Sequence, residues 1–373
     1  MQKRSKYLIF LVMLVGITLL IASCAPEVVT EEVVVTQEVE VTRVVTVEPA
    51  PPEPPEEEDM AEVMVEVPFM DFWESSGHAD ETAEAFRHWD EDDPPIIPAS
   101  CAKCHSSFGY QDFLGLDGSE FGSVDSDHPI GSTVECVACH NDETLNMTTV
   151  VMPSGLEITA VGREARCMQC HQGRESKVSV DEAIASAGVD DDAVSEDLGF
   201  RNIHYFAAAA TKYGTEAKGG YEYDGKTYDA FFAHVEEYES CETCHNAHTL
   251  ELKVEECSAC HEGVASAEDF KDVRMAGSLV DYNGNGDVEE GVYYELEGLR
   301  EMLYGALQAY AAETAGTPLV YDSAAYPYFF IDTDEDGEVS EGEAAFPNAY
   351  NAWTPRLLRA AYNYQYVQKD PGA

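Results

Sequence analysis

Five copies of the pattern Cys-x-x-Cys-His occur in this chain, and we number them motifs 1 to 5 in chain order. They are C-A-K-C-H at 101–105, C-V-A-C-H at 136–140, C-M-Q-C-H at 167–171, C-E-T-C-H at 241–245 and C-S-A-C-H at 257–261. Two thiols three positions apart can form thioethers to the two vinyl groups of one haem, and the adjacent imidazole then reaches the iron from the same side. The pattern predicts five covalently attached c-type haems.

Zinc sites, disulfides and thioredoxin-like redox sites also use cysteine pairs. None of them requires a histidine directly after the second cysteine, yet all five pairs have one. No cysteine other than Cys24 escapes the pattern, so haem attachment is the interpretation that accounts for the residues. The predicted attachment points are Cys101, Cys104, Cys136, Cys139, Cys167, Cys170, Cys241, Cys244, Cys257 and Cys260. The predicted proximal iron ligands are His105, His140, His171, His245 and His261.

Six histidines lie outside the motifs, and imidazole is a good second axial ligand for haem iron. These candidates for the distal position are His78, His88, His128, His204, His234 and His248. Six candidates for five irons predict bis-histidine coordination with one histidine left over, and the choice between His78 and His88 stays open. Iron with two imidazole ligands has no open position for a substrate, so this count favours electron conduction over catalysis.

The distal pairing can be predicted only from closeness in sequence. The candidates that precede a motif closely, and so could fold back onto it, are His88, His128 and His234. His204, in N-I-H-Y-F, is expected to reach the iron held by His171. His248 lies three residues after His245 and is expected to project beside it towards a neighbouring haem.

Residues 332–343, D-T-D-E-D-G-E-V-S-E-G-E, have acidic side chains at loop positions 1, 3, 5, 7 and 12, with glycine at position 6 and valine at position 8. This is the EF-hand pattern for oxygen coordination of Ca²⁺. The predicted ligands are Asp332, Asp334, Asp336, Glu338 and Glu343. An acidic solvated turn is the alternative, but it does not explain the glycine and valine offsets.

A second loop, residues 281–291, resembles the first. Its predicted ligands are Asp281, Asn283, Asn285 and Asp287, but position 12 is Val292, which has no carboxylate. Glu290 or Glu295 would have to supply that ligand. We therefore expect one Ca²⁺ in this region, or two, with a structural and not a sensing role, since extracellular calcium is steady.

The N-terminus predicts export. A basic start, Lys3, Arg4 and Lys6, precedes an apolar run that is short for a bilayer span, as in a secretory signal. Residues 20–24, L-I-A-S-C, match a bacterial lipobox, so Cys24 is expected to carry lipid after removal of residues 1–23. An ordinary secretory signal and an uncleaved signal anchor are the alternatives.

The rest of the chain divides by composition into three parts. Residues 24–67 are rich in Val, Pro and acidic residues and predict an extended stalk. Residues 68–265 hold all five motifs and predict a haem-packed cytochrome c domain, mainly α with much irregular structure. Residues 266–373 have no Cys or His and predict a helical, EF-hand-like domain.

Three local elements are expected to position these residues. A short helix is predicted at 181–187, and a final helix is predicted to start at Thr354-Pro355, with Thr as N-cap, and to end near Asp370. Between the calcium loops, apolar residues recur at helical spacing and predict a buried stripe. The stripe consists of Leu296, Leu299, Leu303, Leu307 and Tyr310.

The charge of the chain limits its partners. The 21 Lys and Arg residues against 72 Asp and Glu residues give a formal net charge of −51. Such a chain repels polyanions and attracts cations and basic surfaces. Nucleic acid is therefore excluded as a partner.

Several stretches resemble those of bacterial exported, membrane-associated multihaem c-type cytochromes. They are S-G-H-A-D at 76–80, A-F-R-H-W at 85–89, C-M-Q-C-H-Q-G-R at 167–174, N-I-H-Y-F at 202–206 and A-A-Y-N-Y-Q-Y-V-Q-K-D-P-G-A at 360–373. The resemblance covers nearly all of the chain after the stalk. It implies bis-histidine haems that carry electrons.

We therefore expect a lipid-anchored, penta-haem electron carrier in the cell envelope, outside the cytoplasmic membrane. Its partners would be redox proteins or an extracellular electron acceptor. The rival hypothesis is an enzyme, a multihaem reductase with one open haem that acts on nitrite or another small oxyanion. Penta-haem nitrite reductases resemble the chain in haem number, but their catalytic haem has Lys in place of His after the second Cys, and C-x-x-C-K does not occur here.

Overall fold

The structure, a computed structural model, describes residues 66–159, 161–231 and 233–370. The predicted signal peptide, Cys24 and nearly all of the stalk lie outside these residues. In the described part of the chain, no helix has the length and apolar character needed to cross a bilayer.

Regular structure is sparse and mostly helical. The helices are α1 (Met70–Glu74), α2 (Glu84–Arg87), α3 (Ala99–His105), α4 (Ser107–Phe113), α5 (Cys136–Cys139), α6 (Asp142–Asn146), α7 (Ala165–Met168), α8 (Lys177–Ala187), α9 (Ala208–Ala217), α10 (Cys241–Cys244), α11 (Val254–Cys257), α12 (Val292–Tyr310) and α13 (Pro355–Lys369). Short 3₁₀ turns cover Gly162–Glu164, Ala267–Asp272 and Phe346–Asn348, and a π-helical turn, Ala311–Ala315, ends α12.

In the described part of the chain, three small antiparallel sheets of two strands each connect these helices. They pair β1 (Ile96–Ile97) with β2 (His128–Pro129), β3 (Thr149–Val151) with β4 (Glu157–Thr159), and β5 (Leu319–Tyr321) with β6 (Phe329–Ile331). The register of the first pair places Ile97 opposite His128. This pairing fixes the chain on both sides of motif 1.

The final helix has the start that the sequence predicts. Thr354 is its N-cap and accepts the backbone N–H of Leu357 at 3.1 Å, and Pro355 occupies the first turn. The buried face of α13 includes Leu357, Leu358 and Tyr362. The helix predicted at 181–187 is also present, as the second half of α8, which begins four residues earlier behind a Ser176 capping box.

One large core joins the haem-motif region to the C-terminal region. It includes Met168 and Ile203 from the first and Trp353 from the second, and Phe200 stacks on Trp353 with ring centroids 5.6 Å apart. Residues from Glu66 onward form one compact unit. The boundary at residue 265 remains a prediction, based on composition, within this unit.

The predicted apolar stripe on α12 is buried only near the end of the helix. Leu307 is 2% exposed, whereas Leu296 and Leu299 are 36% and 37% exposed. The prediction is therefore wrong for the first half of α12. The end of this helix packs on α13, while its first half lies beside the loop at 281–291 and buries Glu295 in place of a leucine.

Helices α3 and α4 cross closely enough to require a glycine. A Cβ atom added at Gly109 would overlap the carbonyl oxygen and side chain of Ala102, which is fully buried in α3. This crossing supports motif 1, which lies on α3.

We expect Gly109→Ala to lower the free energy of unfolding by about 1–3 kcal/mol, because the added methyl must push α3 and α4 apart. The measurement is denaturant unfolding of the purified protein. Gly305→Ala is the matched control, since a Cβ there meets nothing within 4 Å. It should stabilise α12 by up to about 1 kcal/mol. Equal effects of the two substitutions would contradict the close crossing.

Candidate haem-binding centre

Each of the five motifs forms a single helical turn, on α3, α5, α7, α10 and α11 or directly after them. In motifs 2 to 5 the backbone N–H of the histidine donates to the carbonyl of the first cysteine, at 2.8, 3.0, 2.8 and 3.0 Å. Positions i, i+3 and i+4 of a helical turn share one face. Both thiols and the imidazole of a motif therefore project to the same side.

Three motif histidines are oriented by hydrogen bonds from the ring nitrogen Nδ1 to backbone carbonyls. His105 Nδ1 lies 2.7 Å from Ala85 O, His171 Nδ1 lies 3.2 Å from Phe206 O, and His245 Nδ1 lies 2.9 Å from Leu250 O. A carbonyl can only accept, so Nδ1 carries the proton and Nε2 keeps its lone pair. This is the tautomer that an iron ligand needs.

Four motif histidines each face a second histidine. The pairs and their ring-centroid distances are His105–His204 at 5.8 Å, His140–His248 at 6.2 Å, His171–His78 at 6.2 Å and His261–His234 at 5.8 Å. Two imidazoles on opposite sides of one metal ion have centroids about 6 Å apart, because each metal–nitrogen bond is about 2 Å long. The four pairs have the spacing of bis-histidine iron ligands.

Two of these distal rings are held neutral by burial. Desolvation lowers the pKa of His78 to about 4, with a smaller contribution from His171. Desolvation likewise lowers the pKa of His204 to about 4, and His105 adds to the effect. A neutral imidazole retains the lone pair that binds iron.

These pairs differ from the pairing predicted from closeness in sequence. His204 faces His105 and not His171, whose partner is His78. His234 faces His261 of motif 5 and not the motif that it directly precedes. His248 does project towards another motif, where its partner is His140.

The two remaining candidates have other partners. His128 Nε2 lies 3.0 Å from the fully buried carboxylate of Asp112. His88 is 61% exposed in its side chain, and its Nδ1 lies 2.8 Å from Glu84. Neither ring stands opposite a motif histidine at the spacing of the four pairs. Among the described residues, His245 has no second histidine opposite it at that spacing.

The segment that carries His204 is strained and held by the C-terminal helix. His204 and Phe206 have φ angles of 82° and 50°, in the left-handed region that non-glycine residues seldom adopt. Gln365 on α13 donates to Asn202 at 3.1 Å, and the Phe206 N–H donates to Lys369 O at 3.1 Å. Helix α13 thus positions both the His204 ring and the carbonyl that orients His171.

Motif 3 lies against motifs 1 and 2. The thiol of Cys170 is 3.9 Å from the carbonyl oxygen of Lys103 in motif 1. Arg166, directly before motif 3, donates to the carbonyl of Cys139 in motif 2 at 3.3 Å. Haems attached at these three motifs would be close neighbours.

Motif 4 continues the series from motif 3 to motif 5. The backbone N–H of Cys241 donates to the Glu164 carboxylate, three residues before motif 3, at 3.1 Å. Lys253, four residues before motif 5, donates its N–H to Cys244 O at 2.9 Å. The motifs are therefore adjacent in the order 1, 3, 4, 5, with motif 2 beside motif 3.

Tyr110 shows that this region fits a group from outside the polypeptide. The residue is 4% exposed, and its hydroxyl has no hydrogen-bond partner among the described residues. Burial raises its pKa, and the nearby thiols of Cys170 and Cys139 add to this effect. An orphaned buried hydroxyl is rare in a finished protein interior. It lies near the attachment cysteines Cys170 and Cys139, where haem would be bound.

Cysteines of different motifs also approach each other: the thiol of Cys104 lies at hydrogen-bond distance from that of Cys170, and the thiol of Cys167 from that of Cys241. None of the ten motif cysteines is in a disulfide. A zinc site needs four clustered ligands. Within the described ranges, the only group of three or more potential ligands is Asp332, Asp334 and Glu343.

That acidic group belongs to the predicted loop at 332–343. The ligand oxygens of Asp332, Asp334 and Glu343 lie within 4.8 Å of one another, and Asp332 and Glu343 are 5% and 4% exposed. Asp336 and Glu338 are exposed and outside the cluster. The loop is entered from strand β6 and followed by a 3₁₀ turn, so its flanks differ from the helices that an EF-hand predicts.

The loop at 281–291 has the same hydrogen-bond pattern. Asp332 accepts the N–H groups three and five residues after it at 2.7 and 2.9 Å, and Asp281 does so at 2.6 and 2.9 Å. Glu343 accepts the N–H that follows Asp332 at 2.6 Å, and Glu295 accepts the N–H that follows Asp281 at 2.9 Å. Glu295 thus takes the place of the missing position-12 carboxylate.

The second loop differs from the first because a protein side chain, the guanidinium of Arg274, supplies the positive charge beside its buried carboxylate. Arg274 donates to the Glu295 carboxylate at 2.8 Å, to Glu290 O at 2.9 Å and also to Val280 O. The amides of Asn283 and Asn285, two predicted calcium ligands, each donate to the Glu290 side chain at 2.8 Å. Asp287 Oδ1 accepts the N–H of Glu289. This arrangement favours a guanidinium, and not Ca²⁺, as the charge that neutralises Glu295.

Sequence reasoning missed Glu164, Lys212 and Arg274. Each is charged, largely buried and paired with a residue distant in the chain. A Lys or Glu in sequence is most often exposed. No local pattern marks these three.

Comparison with known proteins identifies relatives of one kind. The chain is 27% identical over 351 residues to the C-type polyheme cytochrome OmcC of Geobacter sulfurreducens, covering 80% of this chain and 43% of that protein. It is 26% identical over 345 residues to the C-type polyheme cytochrome OmcB of two strains of the same species, covering 79% and 43%. The chain therefore spans less than half the length of these curated relatives.

No family model matches the chain, and no solved structure matches it significantly. The resemblance of the sequence to multihaem c-type cytochromes is confirmed by these relatives.

We expect His204→Ala to convert one haem from low-spin to high-spin iron, since it removes the ring opposite His105. The measurement is the ferric EPR spectrum, integrated against total iron. His88→Ala is the control and should leave the spin states unchanged. A high-spin signal from the His88 variant, with none from the His204 variant, would contradict the pairing.

Proposed function

We propose that this protein transfers electrons through five covalently bound haem c groups. The observation that carries the proposal is the set of four histidine pairs at metal-bridging distance, each built on a motif with two thiols on the same face. The polyheme cytochrome relatives support electron transfer by haems as the general function. The number of haems in this proposal equals the number of Cys-x-x-Cys-His motifs, which is five.

Conduction is favoured because the motif turns are adjacent and not scattered. Motifs 1, 3, 4 and 5 form a series, and motif 2 joins it at motif 3. An iron between two imidazoles changes its oxidation state with little rearrangement. Neighbouring low-spin haems in such a series would pass electrons without a bound substrate.

The proposed location is the cell envelope outside the cytoplasmic membrane, with Cys24 as lipid anchor. The signal and lipobox pattern in residues 1–24 supports it, as does the export that c-type haem attachment requires. Proposed partners are redox proteins or an extracellular acceptor. The net charge of −51 favours a basic docking surface on such a partner.

We expect the purified protein to take up five electrons per chain in a coulometric titration, and the reduced form to be reoxidised by a soluble ferric chelate. A variant with both Cys241→Ala and Cys244→Ala is the comparison, and it should take up four, because motif 4 then has no thiol that can attach a haem. Reduction without onward transfer to any acceptor would contradict the electron-carrier function.

A second candidate function is reduction of a small oxyanion at the haem of motif 4. The observation that favours it is that His245, unlike the other four motif histidines, has no facing histidine among the described residues. An iron with one protein ligand can bind a substrate. Cyanide or nitrite that perturbs one haem in five would favour this candidate, and five unperturbed haems would exclude it.

We also propose that one Ca²⁺ binds the loop at 332–343. Asp332, Asp334 and Glu343 present clustered carboxylates, and no Lys or Arg forms an ion pair with them in the described part of the chain. Calcium takes carboxylate oxygens of this kind. The ion would hold β6 to the segment that leads into α13.

We expect one Ca²⁺ per chain in a calorimetric titration and none for Glu343→Gln. Saturating Ca²⁺, at about 100 times Kd, should stabilise the wild-type fold by about 2.7 kcal/mol. Glu341→Gln is the control, because Glu341 is an exposed residue of the same loop outside the cluster. Two ions in the wild type, or an unchanged titration of the Glu343 variant, would contradict the proposal.

A further inference from the structure

A buried ion pair lies at the junction of motifs 3 and 4. Glu164 is three residues before Cys167, and its side chain is 6% exposed. Lys212 on α9 donates to both of its carboxylate oxygens, at 2.7 and 2.6 Å. The hydroxyl of Tyr213 donates to the same carboxylate at 3.0 Å.

The carboxylate also contacts an attachment cysteine directly. Glu164 Oε2 accepts the backbone N–H of Cys241 at 3.1 Å and lies 3.5 Å from its sulfur. Cys241 would form one thioether to the haem of motif 4, and Cys167 would form one to the haem of motif 3. The Glu164 carboxylate therefore lies beside the attachment point of one haem and one helical turn from that of the other.

The charge matters because it is shielded from water. A buried charge acts on a neighbouring charge through a medium of low effective dielectric constant. Ferric haem carries one more positive charge than ferrous haem, so a nearby carboxylate stabilises the oxidised form and a nearby ammonium destabilises it. Removing one member of the pair leaves the other uncompensated in the interior.

We propose that Glu164 and Lys212 are positioning residues that hold motif 4 against motif 3 and set the reduction potentials of the haems attached there. The carboxylate of Glu164 would lower the reduction potentials of these haems, and the ammonium of Lys212 would raise them. This inference rests on the proposed haem attachment. Glu164 and Lys212 lie outside all five motifs, and the haems whose reduction potentials they would set are those of motifs 3 and 4.

The test is a spectroelectrochemical titration of the full chain with its haems. Glu164→Gln should raise the midpoint potential of the affected haems, because Lys212 is left unpaired. Lys212→Met should lower it, because Glu164 is left unpaired. The double variant should return towards the wild-type potential, a cancellation that a purely structural role would not produce.

The control is the exposed pair Asp192–Arg356, whose side chains are 52% and 53% exposed. Asp192→Asn and Arg356→Gln should leave all midpoint potentials unchanged. Should Glu164→Gln fail to fold, Tyr213→Phe provides a milder change. It removes one hydrogen bond from the carboxylate and should lower the potential in the same direction as Lys212→Met.

Shifts of the same sign in the Glu164 and Lys212 variants, or no shift while haem content is intact, would overturn this inference. Neither result would affect the proposed function, because each requires bound, redox-active haems. Wild-type protein without haem would instead overturn the proposed function itself.

Discussion

A helical turn of sequence Cys-x-x-Cys-His can supply only one axial ligand to the haem that it holds. Its thiols and imidazole share one face, so any second axial ligand has to come from elsewhere in the chain. This requirement explains why much of the structure is irregular. His78, His204, His234 and His248 lie outside α-helices and strands, and each faces a motif other than the one nearest to it in sequence.

The C-terminal region packs against the haem-motif region and so helps to position one of these histidines, His204. Helix α13 has a regular start and a buried apolar face, and it is joined to the haem-motif region by Trp353 and Phe200. From that base it holds the strained segment at 202–206. The two regions therefore depend on each other, although only one contains cysteine and histidine. A calcium ion bound at 332–343 would stabilise the segment that leads into α13.

The sequence predicts what is local in this molecule. The turn geometry of the motifs, the Thr354 cap and the acidic loop at 332–343 all follow from residues within about one to three turns of one another. The histidine pairs in the structure differ from those predicted, because closeness in sequence does not decide which face of a turn meets which loop. His128 illustrates the failure, since a buried carboxylate on α4, Asp112, takes the nitrogen that iron would need. Glu164 was missed because its partners, Lys212 and Cys241, lie far away in sequence. Arg274 was missed because the calcium-loop pattern does not give the shape of the loop at 281–291.

The claim on which all of this depends is that each motif binds a haem through its two sulfurs. The most direct measurement is the intact mass of the purified protein under denaturing conditions, which removes every group that is not covalently bound. We expect the mass of the chain from Cys24 onward plus five haems and the proposed lipid on Cys24. A mass without haem, with ten thiols free to react with an alkylating reagent, would contradict it.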